Sequence, residues 1–120
     1  SVFGCGGDRD VGKRPLMGQV ASELSDHIVL TSDNPRSESP QHILNDIRAG
    51  MTKPPILEEL DRAAAIRFAV EHASADDWVL LAGKGHENTQ TIGQKTVAYS
   101  DRVEVARLFG LMGSEAQHAS

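Results

Sequence analysis

A short polar turn in the first third of the chain carries groups that could hold a carboxylate. Asp33, Asn34, Pro35 and Arg36 follow the apolar run 27–31. Pro35 fixes its own φ and pushes Asn34 towards extended geometry, so the backbone must turn here. Asn34 supplies an amide, and Arg36 supplies a planar fork of donors that can grip one carboxylate through two parallel hydrogen bonds. The pattern favours a carboxylate-binding turn, while ordinary turn chemistry with a solvated arginine is the alternative.

A second polar cluster follows the most apolar run in the chain, residues 78–82. It consists of Gly83, Lys84, Gly85, His86 and Glu87. Open α/β sheets bind ligands at the carboxyl ends of their parallel strands, which is where this cluster would stand. The alternative is a flexible turn with solvated charges. Packing alone does not explain two glycines around a lysine, so we predict a second part of a ligand site here.

The glycine-rich loop after the first apolar residues suggests phosphate binding but fits neither familiar pattern. Gly7, Gly12 and Lys13 match the spacing of a P-loop, yet Arg14 stands where the magnesium-binding Ser or Thr belongs. The dinucleotide fingerprint fails as well, because Arg9 occupies the position of its third glycine. A loop with basic side chains at a strand end remains, and a solvated turn is an equally good interpretation.

Composition limits the classes of function. The 120 residues are 39% hydrophobic, which suits one domain with a real core. A net charge of −5 argues against nonspecific nucleic-acid binding. Cys5 is the only cysteine, which fits a reducing compartment, and no apolar run is long enough to span a bilayer. We therefore expect a cytoplasmic protein with no membrane partner, and the start inside a strand suggests a piece of a longer chain.

Hydrophobic spacing predicts alternating strands and helices in the first two thirds of the chain. Strands are expected at 2–5, 28–30 and 56–57. The predicted helix after Pro15 would bury one face, made of Leu16, Met17, Val20, Ala21 and Leu24. Ser39 caps a second helix with the stripe Ile43, Leu44, Ile47 and Met51. Asp61 caps a third helix with the inner face Ala64, Ala65, Phe68, Ala69 and His72, in which His72 serves the helix dipole.

The last third is predicted to complete a mostly parallel sheet. Residues 78–82 are the candidate central strand, and a hairpin over 89–99 would add an antiparallel edge. Asp101 with Glu104 forms a possible capping box for a final helix ending before Gly110. The fold class that follows is α/β, a Rossmann-like three-layer domain with helices on both faces.

Taken together, the motifs are specific where one alone would be weak. The chain strongly resembles the C-terminal domain of the Mur ligases, in particular those that add the third residue of the peptidoglycan stem peptide. The resemblance covers nearly the whole chain and is carried by the residues 4–10, 12–17, 33–36, 83–87 and 99–102. It implies a domain over 1–112 that lacks its first strand, followed by a frayed tail over 113–120.

The resemblance also implies a substrate and its site. In these ligases the C-terminal domain brings meso-diaminopimelate to an acyl-phosphate, and the residues implied to bind it are Arg9, Asn34, Arg36, Gly83 and Glu87. Asp33, Pro35, Lys84, Gly85 and His86 are implied to support these loops. The far carboxylate of diaminopimelate would meet the two arginines, and its far ammonium would meet Glu87 and the Gly83 carbonyl.

Several parts of such a ligase are implied to lie outside these residues. ATP and Mg²⁺ belong to a central domain, and the UDP-linked muramoyl dipeptide is held by the central and N-terminal domains. The opening segment of the C-terminal domain that touches the nucleotide is not found before Ser1. The resemblance therefore implies no catalytic residue, metal or cofactor in this chain, and no activity of the chain alone.

Two alternatives stay open. One keeps the superfamily but exchanges the added amino acid for lysine or glutamate, and Arg36 distinguishes it because lysine has no far carboxylate. The other is a non-catalytic flavodoxin-like binding module, in which Asp8 and Asp33 would fall loosely at the acidic positions. That scheme gives the cluster 83–87 no role.

Overall fold

A computed structural model describes residues 1–8, 10–84 and 87–110 of the chain. Strands and helices alternate through its first part and a hairpin precedes the last helix. The elements are β1 (Val2–Phe3), α1 (Lys13–Leu24), β2 (Val29–Leu30), α2 (Pro40–Ala49), β3 (Leu57–Glu58), α3 (Arg62–His72), β4 (Thr89–Ile92), β5 (Lys95–Ala98) and α4 (Asp101–Leu108). The frayed tail predicted over 113–120 lies outside the described residues.

Three short parallel strands form the main sheet, in the order β1-β2-β3. Val2 pairs with Val29, and Val29 pairs with Leu57. Helices cover both faces of this sheet. One buried cluster joins Phe3, Cys5, Ile28 and Leu30 to α2, and the other joins Val2 and Val29 to α3. The predicted α/β architecture with a mostly parallel sheet is therefore confirmed.

The prediction that residues 78–82 form the central strand is wrong. Only a parallel bridge from Leu81 to Val2 is formed, with hydrogen bonds from Val2 N to Leu80 O (2.8 Å) and from Ala82 N to Val2 O (3.0 Å). The segment lies on the side of β1 away from β2, and Trp78 is 97% exposed. An apolar run marks low polarity, but it does not say whether one or both edges of the segment are paired.

The interior face predicted for α1 is also wrong except at Ala21, which is half-buried and packs against the core. Leu16, Met17, Val20 and Leu24 are exposed, and the buried residues of the helix are Arg14, Gly18 and Ser22. The reason is close packing of α1 against α2. A Cβ added to Gly18 would lie 2.1 Å from the Ile47 carbonyl oxygen, so the small residues of α1 must face α2. Close backbone approach decides which side of this helix is inside.

Most of the helix ends follow the predicted capping residues. Ser39 caps α2 by accepting a hydrogen bond from His42 N, and Asp61 caps α3 by accepting from Ala63 N and Ala64 N. The cap predicted for α4 is wrong, because Ser100 and not Asp101 accepts from Val103 N. Asp101 is free of capping and forms an ion pair with Arg62 instead.

The inner face of α3 differs in part from the prediction. Ala65 is buried as expected, but the other buried side chains of the helix are Arg62 and Ile66. His72 is exposed, and one of its ring nitrogens is hydrogen-bonded to Phe68 O at 2.8 Å near the end of the helix. The first residue of the helix, Arg62, is charged and buried. The helical spacing of apolar residues does not predict a buried charge at this position.

The hairpin forms as predicted but belongs to a sheet of its own. β4 pairs antiparallel with β5 through a two-residue turn at Gly93 and Gln94, where Gly93 has φ +63°. It is not an edge of the main sheet. Among the described residues, its strand-like pairing with the rest of the fold is a parallel bridge between Ile92 and Arg36. The hairpin therefore packs on the polar turn that follows β2.

An apolar groove of about 1220 Å³ runs between the exposed face of α1 and residues 76–80. Leu16, Val20, Leu24, Trp78 and Leu80 line it. Among the described residues of the strand ends, neither 33–36 nor Gly83, Lys84 and Glu87 border it. Among the described residues, no helix is long and apolar enough to cross a membrane.

Candidate functional site

Three loops meet at the carboxyl edge of the parallel strands. The loop 5–12 follows β1, the turn 33–36 follows β2, and the loop 83–88 follows the segment bridged to β1. Parallel strands place their carboxyl ends on one edge of a sheet. The strand ends at Cys5, Thr31 and Ala82 therefore lie on the same side, as the sequence predicts.

The first loop is fastened to the turn through Gly7. Gly7 N donates to Asn34 O at 2.7 Å, and Arg36 Nη1 donates to Gly7 O at 2.9 Å. A Cβ at this position would lie 1.7 Å from Pro35 O, so only glycine permits the contact. The arginine of this loop that the resemblance selects, Arg9, lies outside the described residues.

The side chain of Asn34 connects the turn to the third loop. Its Oδ1 accepts from Thr91 N at 3.0 Å and from Lys84 Nζ at 3.2 Å. Its Nδ2 donates to Glu87 Oε1 at 3.3 Å. Because both neighbours of Oδ1 are donors, the orientation of the amide is fixed. The structure thus brings Asn34 and Glu87 together, while Gly85 and His86 lie outside the described residues.

Lys84 lies beneath this contact and is fully buried. Its Nζ donates to Thr89 O at 2.9 Å and lies 3.3 Å from Asp33 Oδ1, with 0% of the side chain exposed. The ring of Tyr99 is 5.8 Å from the same ammonium. Burying a lysine is costly unless its charge is paired. Lys84 therefore supports the loops from inside, in keeping with the role that the resemblance gives it.

Arg36 combines an unusual backbone with unused donors. Its φ is +53°, a region that costs about 1–2 kcal/mol for a residue with a side chain. The hairpin holds it there, since Arg36 N donates to Thr91 O at 3.1 Å and Gly93 N donates to Arg36 O at 2.5 Å. Nη1 donates to Gly7 O and Asn34 O. Within the described part of the chain, Nε and Nη2 have no hydrogen-bond partner, so one edge of the fork is available to a ligand.

Gly83 and Pro35 complete the set of predicted residues. Gly83 is exposed with φ +108°, and a Cβ there would lie 3.3 Å from Asp33 Oδ2. Pro35 is buried against Gly7. Gln90, which the sequence argument did not select, donates from Nε2 to Asp33 O at 2.8 Å. The backbone of the turn is therefore held from both neighbouring loops.

Arg14, the residue that departs from the P-loop pattern, has an internal role in the structure. Its side chain is 1% exposed, and its two terminal nitrogens donate to Glu38 at 2.8 and 2.9 Å. Nη1 also pairs with Asp46 at 2.9 Å, and Nη2 donates to Gly6 O at 3.2 Å. The hydrogen bonds from Arg14 lower the pKa of Glu38 to about 2. Arg14 thus holds the first loop against α2.

The beginning of α1 does not fit a nucleotide phosphate. A phosphate cradle needs free backbone N–H groups at a helix N-terminus. Here Asp10 Oδ1 already accepts from Gly12 N at 2.9 Å, and Asp10 O accepts from Lys13 N at 3.3 Å. The described residues contain no group of three or more His, Cys, Asp or Glu arranged to hold a metal ion. Rejection of a P-loop from the sequence agrees with this geometry.

Comparison with known proteins decides the family. Residues 1–85 match the family described as Mur ligase, glutamate ligase domain. The chain belongs to the Mur ligase family. It is 52% identical over 112 residues to the UDP-N-acetylmuramoyl-L-alanyl-D-glutamate–2,6-diaminopimelate ligase of Vibrio vulnificus (strain YJ016) and 57% identical over 111 residues to that of Alkalilimnicola ehrlichii. These alignments cover 92% and 91% of this chain.

A solved structure of a ligase with the same name superposes on this Mur ligase domain. The TM-score is 0.84 at 47% sequence identity, with 98% of the chain covered. The chain spans 23% of that structure, and 23% and 22% of the two curated relatives. The resemblance found in the sequence motifs is therefore confirmed at the level of the family and its α/β fold.

Proposed function

We propose that this chain is the amino-acid-binding domain of an ATP-dependent ligase that adds meso-diaminopimelate to UDP-N-acetylmuramoyl-L-alanyl-D-glutamate during peptidoglycan synthesis. Relatives with 52% and 57% identity carry the name of that ligase. On this proposal ATP, Mg²⁺ and the UDP-linked dipeptide are held by other parts of the full-length protein, which works in the cytoplasm. The role of this chain is to bind the incoming amino acid and hold it in position for the reaction.

The open edge of Arg36 is the observation that carries the proposal. Meso-diaminopimelate has a carboxylate and an ammonium at the end far from the reacting amine. Nε and Nη2 of Arg36, which have no partner in the described part of the chain, can bind that carboxylate side-on through two hydrogen bonds, and Arg9 adds a second positive charge. Glu87 and the carbonyl of Gly83 suit the ammonium, and Asn34 fixes Glu87 at 3.3 Å. On this proposal the cationic edge and the carboxylate bind the two charged groups of one zwitterionic ligand.

Binding at the far end serves the reaction by orientation. The near amine attacks an acyl-phosphate, the amide bond forms, and the phosphate leaves with the bonding electron pair while the amine loses a proton. A reactant held in the right geometry reacts far faster than a free one. The residues of this chain would supply that geometry and no proton transfer. The isolated 120-residue chain should accordingly form no amide and hydrolyse no ATP.

Replacement of Arg36 with lysine in a full-length ligase that carries these residues tests the proposal. Lysine keeps the charge but gives one movable donor group instead of an aligned pair. A hydrogen bond to a charged group is worth about 1.5–3 kcal/mol, so kcat/KM for meso-diaminopimelate should fall about ten- to a hundredfold. The KM values for ATP and for the UDP-linked dipeptide should stay within about twofold.

Arg48→Lys is the matched control. Arg48 lies on α2, outside the site, and forms an exposed ion pair with Glu58 of β3. It should leave kcat/KM unchanged. Free lysine and glutamate should be tried as alternative substrates. If Arg36→Lys reduced the rate with lysine as much as with meso-diaminopimelate, Arg36 would not recognise the far carboxylate. A wild-type enzyme that preferred lysine would refute the proposed substrate.

A further inference from the structure

Arg62 is a fully buried arginine whose contacts reach both halves of the site. It is the first residue of α3, and its side chain is 0% exposed. Nε and Nη2 donate to Asp101 Oδ1 and Oδ2, each at 2.8 Å, which is a two-point grip on one carboxylate. Nη1 also donates to Ser32 O at 3.0 Å, and Nη2 to Ala82 O at 3.2 Å.

The two carbonyl groups mark the ends of the elements that carry the site. Ser32 immediately precedes the turn of Asp33, Asn34 and Arg36, and Ala82 immediately precedes Gly83 and Lys84. One planar guanidinium is therefore bonded to both strand ends. Because the group is rigid, the spacing of its nitrogens fixes the distance between the two carbonyl oxygens.

A second buried cation joins the same two segments one to two residues further along the chain. Lys84 Nζ lies 3.3 Å from Asp33 Oδ1 and donates to Asn34 Oδ1 at 3.2 Å. Arg62, Asp101, Asp33 and Lys84 thus form a cluster with two positive and two negative charges below the ligand site. Balanced charge permits burial, and removal of one member would leave its partner uncompensated.

We propose that Arg62 is a positioning residue of the amino-acid site, which sets the separation between Arg36 and Glu87 and so selects a substrate of fixed length with charged groups at its far end. This inference rests on the proposed function. Arg62 touches no substrate and acts through the backbone of Ser32 and Ala82. Ser32 cannot move relative to Ala82 unless the guanidinium loses one of its four hydrogen bonds.

The test is steady-state kinetics of Arg62→Lys in a full-length ligase that carries these residues. Lysine keeps the charge opposite Asp101 but cannot bond both carbonyls as a rigid fork. The KM for meso-diaminopimelate should rise about tenfold or more, since small misplacements of binding groups are costly. The KM values for ATP and the UDP-linked dipeptide should change less than about twofold. Arg67→Lys, on the exposed side of the same helix, should change none of them.

A purely structural role for Arg62 gives a different result. Partial unfolding reduces the active fraction and lowers kcat for every substrate, but it leaves KM unchanged. That outcome, or equal changes in all three KM values, would overturn the proposal. Asp101→Asn provides a second variant, which weakens the grip on Arg62 without removing it. It should shift the KM for the amino acid in the same direction by a smaller factor, and a variant that folds with an unchanged KM refutes the inference.

Failure of the proposed function can be recognised separately. If the wild-type ligase accepts lysine or glutamate and not meso-diaminopimelate, the substrate assignment is refuted. The KM of Arg62→Lys for the accepted amino acid then still tests the positioning role. An increase supports it, and an unchanged value contradicts it.

Discussion

Replacing Gly7 with alanine tests the contact that joins the first loop to the turn at Arg36. The added methyl group would lie 1.7 Å from the carbonyl oxygen of Pro35 and 2.4 Å from its carbon. Both are backbone atoms, which cannot rotate away as a flexible side chain can. Real contacts of this kind lie beyond about 3 Å, so the two backbones must separate by about 1 Å or more.

Separation on this scale breaks two specific hydrogen bonds. One is from Gly7 N to Asn34 O at 2.7 Å, and the other is from Arg36 Nη1 to Gly7 O at 2.9 Å. The first is a neutral bond worth about 1 kcal/mol, and the second has a charged donor and is worth about 1.5–3 kcal/mol. Gly7→Ala should therefore lower the free energy of unfolding by about 3 kcal/mol.

Urea unfolding of the 120-residue chain measures this loss, and Gly12→Ala is the control. Gly12 is exposed, and a Cβ there would meet only the Asp10 carboxylate, at 3.3 Å. Gly12 has φ −64° and ψ −23°, which alanine adopts without strain, so its replacement should change the free energy of unfolding by less than about 1 kcal/mol. In the full-length ligase, Gly7→Ala should also raise the KM for meso-diaminopimelate. Equal unfolding midpoints for the two variants would show that the close approach at Gly7 is not rigid, and the account of the loop contact would fail.

Two further predictions concern the ion pairs and the apolar groove. The hydrogen bonds from Arg14 lower the pKa of Glu38 from its ordinary 4.5 to about 2, so the stability from this pair is present above pH 4.5 and is lost as the pH falls towards 2. Urea midpoints of the wild type should fall more steeply over that interval than those of Glu38→Gln, and parallel curves would contradict the pairing. Trp78, the only tryptophan, is 97% exposed in the 120-residue chain. Its fluorescence should be quenched by acrylamide as fully as that of a free indole, and a protected, blue-shifted emission would show that the groove is covered.

The sequence predicts those features that depend on local chemistry. Proline at the first position of α2 with Ser39 before it specifies a helix start, and Asp61 does the same for α3. Gly93 permits the two-residue turn of the hairpin because its φ is positive. The polar residues at strand ends also point to one edge of the sheet, since parallel strands require it.

Features that depend on contacts between residues far apart in the chain cannot be predicted from the sequence patterns. The buried side of α1 is set by the approach of Gly18 to Ile47 O, and periodicity shows only that the helix has two sides. Asp101 has the position and side chain of a helix cap, but it forms an ion pair with the buried Arg62 of another helix instead. Arg62 is a charged residue at the start of a helix that also carries the exposed Arg67. Nothing local distinguishes that charge from a solvated one.

The basic side chains around the site differ in burial. Those that support its loops are buried, whereas Arg36, the proposed ligand-binding residue, is partly exposed. Arg14, Arg62 and Lys84 are each at most 2% exposed, and the terminal nitrogens of their side chains donate to oxygen atoms of the chain itself. A buried charge must be matched internally, because desolvation without a partner costs several kcal/mol, on the order of 3–5 when one member of a buried pair is removed. Arg36 is only partly buried, and it keeps an unpaired edge among the described residues. The cations that look alike in the sequence therefore fall into two groups: buried supports, whose charges are paired inside the chain, and Arg36, which is partly exposed.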